Sequence, residues 1–212
     1  MSAVIVPPTA SLSDALDRLG LPGSLRGIGA LAPGQRAHGP VFTARYEPVD
    51  EHGGTVGDFL DDIVAGSVVL IDNDGRTDCT VWGGIMTRLA STRQIAATVI
   101  HGVCRDTAVA AELAYPVWSA GRFMRTGKDR VRLAATQTPL RIDGVTIHPG
   151  DVLVGDDDGV VVVPASRWSE VRELAERIEH VEDRIVADVA NGGTLREARA
   201  RHGYHSLQTK EC

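Results

Sequence analysis

Trp82-Gly83-Gly84-Ile85-Met86 is followed about twenty residues later by His101-Gly102-Val103-Cys104-Arg105-Asp106, and the apolar run Ala97-Thr98-Val99-Ile100 lies between them. Gly84 to Gln94 has the length and period of a helix, with Leu89 and Ala90 turned inward. Ala97 to Ile100 reads as a buried strand, and a turn at Gly102 then brings Arg105 and Asp106 up at its carboxyl end. Asp106 to Leu113 reads as a second helix and Pro116-Val117-Trp118 as a further short strand. Strand, loop and helix repeat, which predicts an α/β fold with a parallel sheet and its chemistry at the strands' carboxyl ends.

The flanks extend this frame. Ser11 to Gly20 reads as a short helix with capping serines and a terminal glycine. Gly39 to Tyr46 alternates as a strand does, Asp58 to Val64 looks helical, and Ser67 to Asp72 is a buried-type strand ended by Asn73-Asp74-Gly75. After Gly144 two apolar strands, Val152-Leu153-Val154 and Val160 to Val163, are joined by an Asp/Gly loop, as a β-hairpin or β-arch. Ser166 is placed as the cap of a long amphipathic helix reaching about Asn191, Thr194 opens a last short helix, and the tail from Gly203 reads as loose. With no repeat or linker, residues 1–212 are expected to form a single domain with a C-terminal helical arm from about 166.

A chain of 212 residues fills one core. Its net charge of −6 argues against broad electrostatic binding to nucleic acid or anionic lipid. No apolar run of membrane-spanning length occurs, and Met1 to Pro8 lacks the charged and apolar regions of a signal peptide, so the expectation is a cytoplasmic protein. Cys79, Cys104 and Cys212 show no CxxC spacing, which argues against a disulfide framework or a zinc knuckle. Cys104 beside Arg105 is read as a buried small hydrophobe rather than a nucleophile, since no base partner is evident.

Three groups carry candidate chemistry. An arginine fork at Arg105 binds a carboxylate bidentately, and a lone carboxylate at Asp106, with waters completing the shell, suits Mg²⁺. The glycine turn at Gly83-Gly84 opens a helix whose free amides favour an anion. Together these read as a site for a metal-chelated oxo-acid. Asp156-Asp157-Asp158 could pass for a metal cage but is read as a structural turn, where Asp and Gly are favoured. Glu176, Glu179, His180, Glu182 and Asp183 read as a solvated helix face, and His38, His52, His148, His202 and His205 have no ligand spacing. His101 draws interest because it directly precedes the glycine of the site.

These residues resemble the RraA-like family, which includes class II 4-hydroxy-4-methyl-2-oxoglutarate aldolases and regulators of ribonuclease E activity. The likeness covers most of the chain: Asp14 to Gly20, Trp82-Gly83, the Gly84-(twenty residues)-Arg105-Asp106 signature, Tyr115 to Trp118, Pro149 to Val152, and Asp156 to Pro164. It implies a swivelling three-layer β/β/α fold, like phosphohistidine domains, assembled as a homotrimer or a hexamer with active sites between subunits. It implies that Asp106 holds Mg²⁺ or Mn²⁺, that Arg105 binds the oxo-acid, and that the amides of Gly84, Ile85 and Met86 receive its carboxylate. A second carboxylate from the long helix would be Glu182.

The implied reaction is retro-aldol cleavage of a 2-oxo-acid to release pyruvate, with oxaloacetate decarboxylation as a second activity through the same enolate. Two positions depart from the family's aldolases: Val109 stands where a carboxylate is usual, and His101 stands where Asp is common. His101 is either a new acid/base near neutrality or a packing substitute. The departures leave open an altered substrate, a mainly decarboxylating enzyme, or a non-enzymatic RraA-like regulator that binds an RNA-degrading enzyme.

Overall fold

A computed structural model describes residues 6–51 and 54–207. His52, Cys212 and most of the N-terminal stretch weighed as a signal peptide lie outside them. The chain resolves into two compact units, one spanning Ser24–Ala165 and the other formed by the segments on either side of it.

The flanking unit is helical. Its helices are α1 (Thr9–Arg18), α4 (Trp168–Ala190) and α5 (Leu195–Arg201). α1 packs on α4, with Leu12, Ala15 and Leu16 on one side and Val171, Leu174, Ala175 and Ile178 on the other, all buried. That is the i, i+3, i+4 spacing of an amphipathic stripe.

The serines expected to cap these helices do not. The residue preceding α1 is Pro8, with no side-chain cap, and Ser11 is buried inside the helix. Ser166 falls in a 3-10 turn, Ala165–Arg167, that leads into α4. Thr194 does cap: its hydroxyl accepts from the Glu197 amide at 3.3 Å while Glu197 reaches back to the Thr194 amide, a full capping box. Gly20 (φ 65°) ends α1 with the Leu21 amide donating to Leu16 O at 2.9 Å, the left-handed closure that glycine permits. The tail is less loose than its composition suggests, because Tyr204–Ser206 forms a 3-10 turn and Arg18 donates to Leu207 O at 3.1 Å.

The central unit is built on strands β1 (Ser24–Leu25), β2 (Gly29–Ala30), β3 (Ala37–Pro48), β4 (Val68–Asp72), β5 (Ala97–Cys104), β6 (Val117–Arg122), β7 (Val131–Thr136), β8 (Leu140–Ile142), β9 (Val145–Ile147), β10 (Val152–Asp156) and β11 (Gly159–Val163). The helices α2 (Gly84–Thr92) and α3 (Thr107–Glu112) lie between β4 and β6 in sequence. The order is β1-β11-β10-β3-β4-β5-β6-β2, with β7 also on β3, and β8-β9 form a separate hairpin. β3, β4, β5 and β6 run parallel, as the repeating pattern predicts, while β10 joins β3 antiparallel.

Alternation along the parallel strands divides the core in two. On β4, Val68 and Leu70 enter one cluster while Val69 and Ile71 enter the other. The first cluster is closed by β8, β9, β10 and β11 through Leu140, Ile142, Val145, Ile147, Leu153 and Val162. The second is closed by α2, α3 and a 3-10 turn at Phe59–Asp62 through Ala90, Ala110, Phe59 and Leu60. A parallel sheet buried on both faces reads as continuous Val/Ile/Leu, which is how β4 reads. The result is the three-layer β/β/α arrangement. Trp118 is fully buried in the first cluster, donates its indole N–H to Asp156 O at 2.8 Å, and lies where a side chain at Gly155 would meet its ring at 2.9 Å.

Several boundaries differ from the expectation. Asp58 to Val64 is only the short 3-10 turn. β5 continues through Cys104, so Gly102 is no turn but a point inside the strand, where the pairing with β6 slips between Ile100 and Val103. Its φ of 149° is one that side chains rarely adopt, and a Cβ there would crowd Arg76 O and Asn73 Cβ at 3.2 Å. The Asp156–Asp158 segment is a hairpin turn: Asp157 accepts from the Gly34 amide at 2.7 Å and Asp156 from the Asp158 amide at 3.0 Å. No helix among the described residues is long and apolar enough to cross a membrane.

Candidate functional site

The carboxyl end of β5 and the N-terminus of α2 frame a cleft of about 310 Å³ in the central unit, lined by Arg105, Asp106 and Trp82 to Met86. The segment entering α2 is locked to the end of β5. The Thr80 hydroxyl lies 2.9 Å from the carbonyls of both Trp82 and Val103 and accepts from the Trp82 amide at 3.2 Å. The Arg105 amide donates to Trp82 O at 3.1 Å. Trp82 donates its indole N–H to the Thr87 hydroxyl at 3.0 Å, and that hydroxyl donates to Gly83 O at 3.0 Å. A buried ring and a buried threonine thus set where α2 begins.

At the centre the Gly84 amide donates to Asp106 Oδ2 at 2.9 Å, and Arg105 Nε lies 3.7 Å from the same oxygen. A Cβ on Gly83 would come within 2.8 Å of Asp106 Oδ2 and 3.1 Å of Arg105 Nε, so the glycine leaves room for these two heads where they stand, and its own backbone angles do not demand it. Asp106 sits in the left-handed region at φ 56°, ψ 36°. That conformation costs a non-glycine residue on the order of 1 kcal/mol or more and is held by surrounding structure. Both charged side chains stay about half exposed, at 40% for Arg105 and 49% for Asp106. Their heads are therefore available to a ligand.

Of the three amides expected to receive a carboxylate, the Gly84 amide is already engaged by Asp106. Ile85 and Met86 stand in the first turn of α2, where amides lack an i−4 acceptor. Val109 fills space over the glycines, its methyl 3.3 Å from a Cβ position on Gly84.

His101 is elsewhere. It lies within β5 beside Asp72 of β4, with Nδ1 2.8 Å from Asp72 Oδ1, and does not line the cleft. The hydrogen bond to Asp72 raises its pKa above the ordinary histidine value, against the opposing effect of burial. Glu182 belongs to α4 of the helical unit, where burial first, then the charges of Asp14 and Asp183, raise its pKa. Cys104 is buried with Sγ 3.6 Å from Ser119 Oγ, and burial pushes its thiol pKa up, the state of an inert small hydrophobe.

Sequence reading missed the other wall. Val56, Gly57 and Asp58 line the cleft, as does Thr126. The glycine-rich run Gly53-Gly54-Thr55-Val56-Gly57-Asp58 was the available signal, since short glycine-rich segments often mark close backbone approach. The Tyr46 hydroxyl donates to Val56 O at 2.5 Å and the Leu133 amide to Thr55 O at 2.9 Å, which ties this segment to β3 and β7.

No three His, Cys, Asp or Glu side chains among the described residues are grouped to hold a metal ion. The carboxylate fixed at the centre is that of Asp106. A single carboxylate does not suit zinc, which takes several N or S ligands, but it fits a hard cation that keeps most of its own water.

The model of the RraA-like family, described as Aldolase/RraA, matches residues 9–162. This chain belongs to the RraA-like family. Its RraA-like relatives include protein DlpA of Legionella pneumophila, 41% identical over 199 residues that make up 92% of this chain and 32% of DlpA, so the chain spans about a third of that relative. A putative 4-hydroxy-4-methyl-2-oxoglutarate aldolase of Halalkalibacterium halodurans is 31% identical, covering 80% of this chain and 79% of its own. Among solved structures, an uncharacterized protein from Pseudomonas syringae superimposes with a TM-score of 0.84 at 47% identity, covering 91% of this chain and 92% of that one. Streptomyces coelicolor RraAS2, an unusual member of the RNase ES inhibitor RraA protein family, gives 0.74 at 30% identity, covering 82% of this chain and 88% of that one. The RraA-like fold expected from the sequence is the fold observed.

Proposed function

We propose that this RraA-like chain is a divalent-metal-dependent lyase that cleaves a 2-oxo-acid by a retro-aldol reaction and releases pyruvate, with oxaloacetate decarboxylation as a second activity. The supporting observation is the Asp106 carboxylate, half exposed in the cleft, fixed by the Gly84 amide and standing beside the Arg105 guanidinium. The similarity to a putative 4-hydroxy-4-methyl-2-oxoglutarate aldolase points the same way.

Asp106 would hold Mg²⁺ or Mn²⁺, which when bound supplies Lewis-acid polarisation of the substrate's 2-oxo group. The chain's own residues do the rest. Arg105 presents a planar fork to the oxo-acid and stays beside the oxygen on which negative charge grows as the carbon–carbon bond breaks. The first-turn amides of Ile85 and Met86, at the positive end of the α2 dipole, receive the carboxylate of the oxo-acid end. Trp82 and Val81 give the cleft an apolar wall, where such electrostatic contacts strengthen. A water returns the proton to the pyruvate carbon.

Ile85 is 86% exposed and Met124 75% exposed, both close in sequence to this site. Assembly as a homotrimer or hexamer, with the cleft near a subunit boundary, is what the family resemblance implies for this chain.

The similarity to RraAS2 supports a second reading, a non-enzymatic regulator that binds an RNA-degrading enzyme. Incubating the protein with 4-hydroxy-4-methyl-2-oxoglutarate and with oxaloacetate, each with Mg²⁺ or Mn²⁺, separates the two. The lyase reading expects pyruvate release that EDTA abolishes. Absence of turnover together with tight binding to a ribonuclease establishes the regulator instead.

A further inference from the structure

We infer that Asp58 is the base that takes the proton from the hydroxyl group of the aldol substrate, an assignment that rests on the lyase reading above. Asp58 lines the same cleft as Arg105 and Asp106 but reaches it from a separate segment. It precedes the 3-10 turn Phe59–Asp62 without a side-chain bond to it, and no hydrogen bond or ion pair among the described residues engages its carboxylate. Asp106, the other carboxylate of the cleft, is already bonded to the Gly84 amide and adjacent to Arg105. One acid is thus held by donors at the centre of the cleft, while the other reaches the cleft with no such bond.

The segment carrying Asp58 is set before any substrate arrives. The Tyr46 hydroxyl and the Leu133 amide hold it at Val56 O and Thr55 O, and the missing side chain of Gly57 lets it lie against Leu133. A positioned base needs this kind of fixed backbone, because proton transfer falls off sharply with misplacement.

The division of labour follows from charge. Arg105 and the α2 amides draw the oxo-acid end of the substrate and leave its hydroxyl-bearing carbon to the remaining lining. An Asp58 carboxylate oxygen takes the hydroxyl proton. The O–H electron pair becomes the second bond of the new carbonyl, and the C3–C4 bond breaks with its electrons on C3 as the pyruvate enolate. The proton then passes through Asp58 or a water to C3, which yields pyruvate and returns the carboxylate to its starting state. β-Decarboxylation of oxaloacetate reaches the same enolate by losing CO₂, with no hydroxyl proton to remove. Asp58 therefore matters to one reaction far more than to the other.

The test is steady-state kinetics of wild type and Asp58→Asn on 4-hydroxy-4-methyl-2-oxoglutarate and on oxaloacetate, with Mg²⁺ present. The ratio of aldol kcat to decarboxylation kcat should fall by about 100-fold or more, as expected for loss of a general base. Formate added to Asp58→Ala should restore part of the aldol cleavage. A ratio that stays within about threefold of wild type, whether both rates fall or neither does, overturns the assignment. If the wild-type protein releases pyruvate from neither substrate, the lyase reading itself fails and takes this one with it.

Discussion

The Asp106 carboxylate accepts the Gly84 amide at 2.9 Å across twenty-two residues of sequence, and this bond ties the start of α2 to the end of β5. The bond makes one residue serve two ends. It satisfies a first-turn amide that would otherwise lack an acceptor, and it fixes a carboxylate whose own backbone is in an unfavourable conformation.

Gly83→Ala tests the close approach. The added Cβ meets Asp106 Oδ2 at 2.8 Å, while the φ of −154° is one any residue adopts. The carboxylate must shift, so pyruvate release should fall by at least about tenfold with a melting free energy within roughly 1 kcal/mol of wild type. Paired kinetics and thermal melts check this; unchanged turnover would mean that the carboxylate position does not matter.

Asp106 should show stability traded against activity. Asp106→Gly and Asp106→Ala both remove the carboxylate, but only glycine is at ease at φ 56°. Both should lose activity by roughly 100-fold or more, and the glycine variant should be the more stable by about 1–2 kcal/mol. Urea melts of the two variants side by side give the difference directly.

The His101–Asp72 pair makes stability depend on pH. The pKa of His101 is raised in the folded protein above its ordinary value of 6.5 by the bond to Asp72. Its contribution is therefore complete below the ordinary value and is lost as pH rises through the folded one. Denaturant midpoints measured from about pH 6 to 9 should fall with pH in wild type, with that component absent in Asp72→Asn. Because His101 lies outside the cleft lining, His101→Ala should leave the pH dependence of kcat unchanged.

Trp118 and Gly155 report on the sheet core. A methyl at Gly155 would meet the indole at 2.9 Å, and the ring is fully buried. Gly155→Ala should cost about 1–3 kcal/mol by overpacking, and Trp118→Ala about 3–5 kcal/mol, both read from denaturant unfolding.

The parallel strands, α2 and the Arg105-Asp106 pair were legible because periodicity and glycine punctuation are local signals. The family resemblance then supplied the three-layer arrangement. What the sequence concealed is long-range. Ser11 and Ser166 look like caps, but packing of Leu12 and Leu16 on α4 shifts where α1 starts, and a 3-10 turn takes up Ser166. Gly102 reads as a turn because glycine interrupts the apolar run, yet pairing of Val103 and Cys104 with β6 carries β5 past it. The glycine-rich run before Asp58 signals close backbone approach, but the place of Asp58 in the cleft depends on Tyr46 and Leu133 contacts that no spacing encodes.

Manganese binding followed by electron paramagnetic resonance, with and without pyruvate, tests most directly whether Asp106 and Arg105 build one site for a cation and an oxo-acid. Wild type should bind Mn²⁺ and bind it more tightly with pyruvate present, Asp106→Ala should lose the metal, and Arg105→Ala should keep the metal but lose the tightening. Equal Mn²⁺ binding by wild type and Asp106→Ala would contradict the account at its centre.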